Sequence, residues 1–265
     1  MQAYRGLFKM SFKGELQYRA KAISGITTQF FWGIMYVYLY TAFMHGSTID
    51  GFSISQMASF IWLGQAFFAL RYVDLPKKCA KEIENGDVCY KFVRPINLYN
   101  QWYFEYLGYK LSASLLRFLP IVILASLLPA NIGLSLPASF TAFSLFFIAL
   151  IIGALLTGAI SMIIVYLTFK TQSAKGTQTL VNTLCGILGG FFIPIPLMPQ
   201  VIQNVLNYLP FRFIVDLPFR IYIGSIATKP AIIFIAISLA WLVALILIGK
   251  WLMNKALKKT VIQGG

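Results

Sequence analysis

Residues 138–169 read ASFTAFSLFFIALIIGALLTGAISMIIVYLTF and residues 231–249 read AIIFIAISLAWLVALILIG, and neither stretch holds an Asp, Glu, Lys, Arg or His. A helix rises about 1.5 Å per residue, so about 20 apolar residues cross the hydrocarbon core of a bilayer. Both stretches meet that length. The first exceeds it, which predicts a tilted helix or one whose end leaves the hydrocarbon.

Four further apolar runs, over residues 23–44, 56–73, 104–128 and 177–193, bring the expected number of spans to six. The composition agrees, with 58% hydrophobic residues, 11% charged residues and a mean hydropathy of +0.75. Soluble domains carry about 25% charged residues. The fold class expected is therefore an all-α membrane protein, a single transmembrane domain over residues 1–265.

The formal charge of +14 would in a soluble protein suggest nucleic acid as a partner, so the placement of the 22 Lys and Arg residues decides its meaning. Arg5, Lys9, Lys13, Arg19 and Lys21 precede the first run. Eight more, from Arg71 to Arg117, flank or fill one central loop. Lys170 and Lys175 occupy a short turn, and Lys250, Lys255, Lys258 and Lys259 close the chain, leaving Arg212, Arg220 and Lys229 for the opposite side. Such an asymmetry is the positive-inside pattern. It predicts that both ends are cytoplasmic, that the charge faces membrane lipids, and that no nucleic acid is bound. Residues 1–22 carry charges throughout, so no cleavable signal peptide is expected.

Within residues 1–22, Tyr4, Phe8, Phe12 and Leu16 recur every fourth position while Arg5, Lys9 and Lys13 follow one position on. One helical flank is apolar and its neighbour cationic, the pattern of a helix lying at the membrane interface. Residues 195–229 are apolar yet broken by Pro196, Pro199, Pro210 and Pro218, and carry Arg212, Asp216 and Arg220. They are expected to form short outer re-entrant helices before the last span, with Asp216 spaced to pair with both arginines on one face. Glu105, Lys110 and Arg117 fall within the third run. The reading favoured is snorkelling or structural pairing, and the alternative is that they line a substrate path.

Chemistry-bearing motifs are few. There is no GxxxxGK[ST] phosphate loop, no HExxH and a single histidine, His45. Three cysteines without paired spacing predict neither a disulfide framework nor a metal site. The expected cofactor set of this chain is empty, and catalysis is not expected of it. Residues 74–103 are the one long mixed-charge segment, where Asn85-Gly86-Asp87 favours a turn and Arg94-Pro95 an extended step. Its apolar residues Ile83, Val88, Cys89, Tyr90, Phe92 and Val93 suggest a docking element rather than a solvated connector.

A basic amphipathic start, two spans, the segment IENGDVCYKFVRPINLYNQ over 83–101, four more spans and a proline-broken outer segment together resemble the ABC-2-type permease family. The shared motif is loose, comprising Ile83, Gly86, Arg94 and Pro95. What the resemblance implies is the transmembrane permease subunit of an ATP-binding-cassette exporter. ATP and magnesium would bind a separate ATPase, present in two copies, and a second permease, identical or homologous, would complete the unit. Family members export drugs, peptides and lipid-linked molecules, so the resemblance extends to multidrug efflux.

The same resemblance makes residues 81–95 the coupling element, with Lys81, Glu82, Ile83, Glu84, Gly86, Asp87, Arg94 and Pro95 as its contact set. Movement there would rearrange the first, second and fifth spans, which puts the expected substrate path at Thr28, Gln29, Gly33, Asn182, Gly186 and Gly189. Phenylalanine and lysine usage fits a bacterial cytoplasmic membrane. The competing readings are an ion-gradient-driven secondary transporter and a membrane-embedded lipid-modifying enzyme. Either would act without an ATPase.

Overall fold

The computed structural model describes residues 2–44, 52–75, 77–92 and 96–259. These residues are mostly helical, with no strand among them. The chain opens with α1 (Gln2–Leu16) and α2 (Arg19–Met44), followed by α3 (Ile54–Ala66) and the single turn α4 (Phe68–Arg71). Two short helices, α5 (Lys77–Glu84) and α6 (Cys89–Phe92), lead into the long α7 (Leu98–Ser126) and α8 (Phe140–Thr171). After α9 (Ala174–Leu188) come α10 (Gln200–Leu206), α11 (Asp216–Tyr222) and α12 (Thr228–Lys259), with 3₁₀ turns at Ile195–Leu197 and Pro210–Ile214.

Three of these helices, Leu98–Ser126, Phe140–Thr171 and Thr228–Leu257, are long and apolar enough to cross a membrane. They correspond to three of the six expected spans. The first expected span is one continuous helix of 26 residues, whose tyrosines, threonines and Gln29 dilute its apolarity. The second is broken at Phe67 into α3 and α4. The fifth is a helix of 15 residues. At about 1.5 Å per residue it falls short of a hydrocarbon core of about 30 Å.

The core is built around α8. Its most apolar window is 78% buried, against 39% for α7 and 28% for α12, so α8 is the central post and the other two present most of their surface outward. Small residues on α8 make this possible, because they let neighbouring backbones approach. A Cβ on Gly153 would meet the carbonyl oxygen of Ile214, and one on Gly158 would meet the ring of Tyr103. Between them the buried Thr157 donates to the carbonyl of Leu70 at 3.0 Å.

Helix α1 uses the flank foreseen for it. Tyr4 stacks on Phe104, Ser11 donates to the carbonyl of Glu105 at 2.7 Å, and Gly108 of α7 leaves room for the backbone at Phe8. Arg5, Lys9 and Lys13 remain exposed on the other side. Side chains at helix starts satisfy the free amides there: Ser53 and Gln56 form a reciprocal capping box on α3, and Asn97, Ser139 and Ser173 cap α7, α8 and α9.

The proline-broken region is a set of short helices, locked by charge. Arg212 and Asp216 are fully buried and paired at 3.1 Å, and Arg220 approaches the same carboxylate at 3.9 Å. The Arg212 guanidinium also donates to Asn207 and lies 4.7 Å from the Phe234 ring centroid, which ties α10, α11 and α12 together.

Candidate functional site

Residues 69–92 begin with an anchor. The Lys110 ammonium, from the middle of α7, meets Asp74 Oδ1 at 2.5 Å and donates to the carbonyls of Ala69 and Tyr72 at 2.9 and 2.6 Å. Those carbonyls lie at the end of α4, where no intrahelical partner remains for them. Tyr109 donates to Asp74 Oδ2 at 3.2 Å, and Ser161 of α8 donates to the Asp74 carbonyl at 2.7 Å. Lys110 is thus structurally paired, as the favoured sequence reading held. Next in the chain, the amides of Val73 and Leu75 donate to Asn182 Oδ1 and Gln178 Oε1 of α9, both at 3.1 Å.

Past this anchor, α5 and α6 form a helix-turn-helix against the base of the bundle. Cys79, Ile83 and Val88 are buried, and burial pushes the Cys79 thiol up from its ordinary range. Gly86 takes φ +80°, a left-handed conformation that favours glycine and lets α5 reverse into α6. Glu84 accepts from the Ala174 amide at 2.9 Å and so caps the start of α9. Glu82 pairs with Lys91 at 2.6 Å, and Lys91 lies 5.2 Å from the Trp102 ring centroid.

The coupling residues expected from sequence therefore divide. Ile83 faces inward, Glu82 and Glu84 tie the segment to itself and to α9, and Lys81, Gly86 and Asp87 lie on an exposed lip. Arg94 and Pro95 lie outside the described residues. Tyr90, 72% exposed, extends the lip and was absent from the expected contact set. Its signal in the sequence was its place among the apolar residues of the mixed-charge segment 74–103.

A second assembly sits where α4 and α9 meet. Two adjoining clefts, with about 470 and 620 Å³ of empty space, share Arg71, Phe191 and Val215. Of the expected path residues, Asn182 and Gly186 line the larger cleft. Gly189 packs under the Phe211 carbonyl and Gly33 seats the Trp62 ring, so both serve close helix packing. Thr28 is exposed and bonded to the carbonyl of Ser24, and Gln29 is buried on α2; neither lines a cleft. Sequence reading passed over Arg71, counting it only among the basic residues near the central loop.

No group of three or more metal-ligating side chains occurs among the described residues. What the geometry offers is a clamped lever under a helical bundle and a pair of clefts within it. Comparison with curated proteins finds no match. Residues 30–264, by contrast, match the family described as ABC-2 family transporter protein, which takes in the lever, the cleft and all three long helices. With nearly its whole length matched, this multi-pass membrane chain belongs to the ABC-2 transporter family, as a permease that associates with an ABC ATPase.

Proposed function

We propose that the chain is the transmembrane half of an ATP-driven exporter, in which two permeases, identical or homologous, stand on two ATPase subunits that dock against residues 77–95. The observation that carries this reading is the clamped helix-turn-helix of α5 and α6. Transmitting force from a soluble motor requires an element that moves as one body and is tied to the part it must move. Residues 77–92 have both properties, through Glu82–Lys91 internally and Glu84 to the start of α9. The lip at Lys81, Asn85, Gly86, Asp87 and Tyr90 offers mixed charge and one large aromatic to a partner.

In this reading α2, the α3–α4 pair, α7, α8, α9 continued by residues 189–193, and α12 serve as six spans, residues 195–227 lie on the outer side, and both termini are cytoplasmic. The basic clusters at the two ends and around the central loop support that orientation. The membrane is the bacterial cytoplasmic membrane, and ATP and magnesium belong to the partner chain. Displacement of α5 and α6 on ATP binding pulls the start of α9 and the end of α4 together, because both are bonded to residues 73–84, and so reshapes the clefts between them.

The test is mild extraction from the native membrane, identification of whatever remains bound, and an ATP hydrolysis assay. Recovery of an ATPase that is lost on changing Asp87 and Tyr90 is the expected result, and a second permease in the sample fixes the permease pairing. A chain that purifies alone and still moves or modifies a substrate overturns the reading in favour of a gradient-driven transporter or a lipid enzyme.

A further inference from the structure

Arg71, half-buried at the end of α4, takes part in none of the ion pairs formed by the buried and half-buried acids. Asp74 is taken by Lys110, Glu82 by Lys91, Asp216 by Arg212 and Arg220, and Glu15 by Lys21. Glu84 caps α9 and Glu105 accepts from Gln101. Among the described residues no carboxylate lies within 4 Å of Arg71, and its side chain makes no hydrogen bond. Its contacts are aromatic, with the guanidinium carbon 4.4 Å from the Phe68 ring centroid and 3.0 Å from that of Phe191.

A stacked guanidinium has its flat faces covered and its in-plane N–H groups unspent. Arg71 lines both clefts, so those donors border empty space rather than bulk water alone. The remaining lining is mainly apolar, with Phe60, Ile61, Phe211 and Phe219 contributing rings and a branched side chain. A second unsatisfied group marks the same cleft as a place for a polar ligand: Gln65, 3% exposed and lining the smaller cleft, has an amide oxygen without a partner, an acceptor that a hydroxyl or N–H of the ligand or of water would meet while Arg71 takes the anionic head. An ionised residue within a membrane bundle is costly and marks a pathway when nothing pairs with it.

We propose that these clefts bind an amphiphile with an oxyanion head, the phosphate or carboxylate group meeting Arg71 in a two-pronged contact and the apolar body lying among the phenylalanines. An organic cation is excluded, since its charge would face a fixed guanidinium. Calling this ligand the transported cargo rests on the exporter reading; its binding does not.

The experiment uses the full permease in nanodiscs of neutral phosphatidylcholine, with dodecyl phosphate as probe and intrinsic tryptophan fluorescence and thermal shift as readouts. Saturable binding is expected. Inorganic phosphate and dodecyltrimethylammonium should not bind at the same concentration. Arg71→Gln removes a charge-assisted, bidentate contact, so affinity should fall on the order of tenfold or more. Arg71→Lys, which keeps the stem and the charge, is the second variant should the first melt early without ligand, and it should bind between wild type and R71Q. Wild-type affinity in both variants, or equal binding of the ammonium amphiphile, overturns the proposal.

Two sources of the anion are separated by adding phosphatidylglycerol to the nanodiscs. Competition with dodecyl phosphate identifies a membrane phospholipid as the occupant, and independence identifies an amphiphile arriving from water; both place an oxyanion at Arg71. Binding by a permease whose extraction from the native membrane yields no ATPase, and which transports without one, leaves the site standing and removes the exporter reading. Co-purification of an ATPase with R71Q binding as wild type does the reverse.

Discussion

A lysine ammonium inside a helix bundle keeps its charge only if every lost water contact is replaced. Lys110 replaces them with one carboxylate oxygen and two carbonyl oxygens. Removing one member of such a set leaves the others buried and unpaired, which costs about 3–5 kcal/mol, whereas replacing a whole pair with apolar groups is often neutral. Lys110→Met should therefore lower the unfolding midpoint in detergent strongly, and Lys110→Met combined with Asp74→Leu should recover a large part of the loss. A Lys110→Met protein as stable as the parent would show that the cluster contributes little. The charge of Lys110 stood out in the sequence, but its partner did not. Asp74 lies 36 positions earlier, beyond any helical spacing rule, and only the return of the chain along α7 brings the two together. Asp216, by contrast, is four positions from Arg212 and from Arg220, so that lock could be read from spacing alone.

Between residues and the whole, the seams decide behaviour. Glu84 is one side chain, yet it joins two elements, and an acid at a helix start is favoured both by hydrogen bonding and by the helix dipole. Glu84→Gln keeps an oxygen acceptor and should cost about 1 kcal/mol or less. Glu84→Lys puts a cation against that helix start and cuts the tie. The expected outcome is an ATPase that still hydrolyses but transports little, read as the ratio of the two rates in reconstituted vesicles; an unchanged ratio removes the lever role from α5. The seam between α1 and α7 turns on Gly108, where any side chain would meet the Phe8 backbone. Gly108→Val should detach α1 and expose the link to α2, so that trypsin cleaves at Arg19 or Lys21 several-fold faster than in the parent. The amphipathic pattern of α1 was legible because it is local. That its apolar flank meets α7 was not, since the same pattern serves a helix resting on lipid.

For the molecule as a whole, apolar run length reported α7, α8 and α12 because a stretch that must be buried on all sides is apolar whoever its neighbours are. Residues 56–73 and 177–193 look alike by that measure, yet one breaks at Phe67 and the other is a helix of only 15 residues. Breaks of this kind arise from packing: α4 ends where Lys110 and Thr157 donate to its carbonyls within the core. The Arg71 clefts were the least legible feature, assembled from residues as distant in sequence as Tyr36 and Phe219. Orientation is a different matter, since it follows from summed charge rather than from packing. Eight basic residues in segments 1–22 and 77–81 and four after residue 249 would have to cross the membrane if the chain were inverted, and one of the terminal clusters would if it had an odd number of spans. A fluorescent protein that matures only in the cytoplasm should therefore shine when fused at either end, and alkaline phosphatase inserted near residue 131 or residue 225 should be active. Fluorescence at one end alone means five or seven spans. That outcome would make either α9 or the α3–α4 pair a structure that enters the bilayer and returns, and it would place the coupling segment and one terminus on opposite sides.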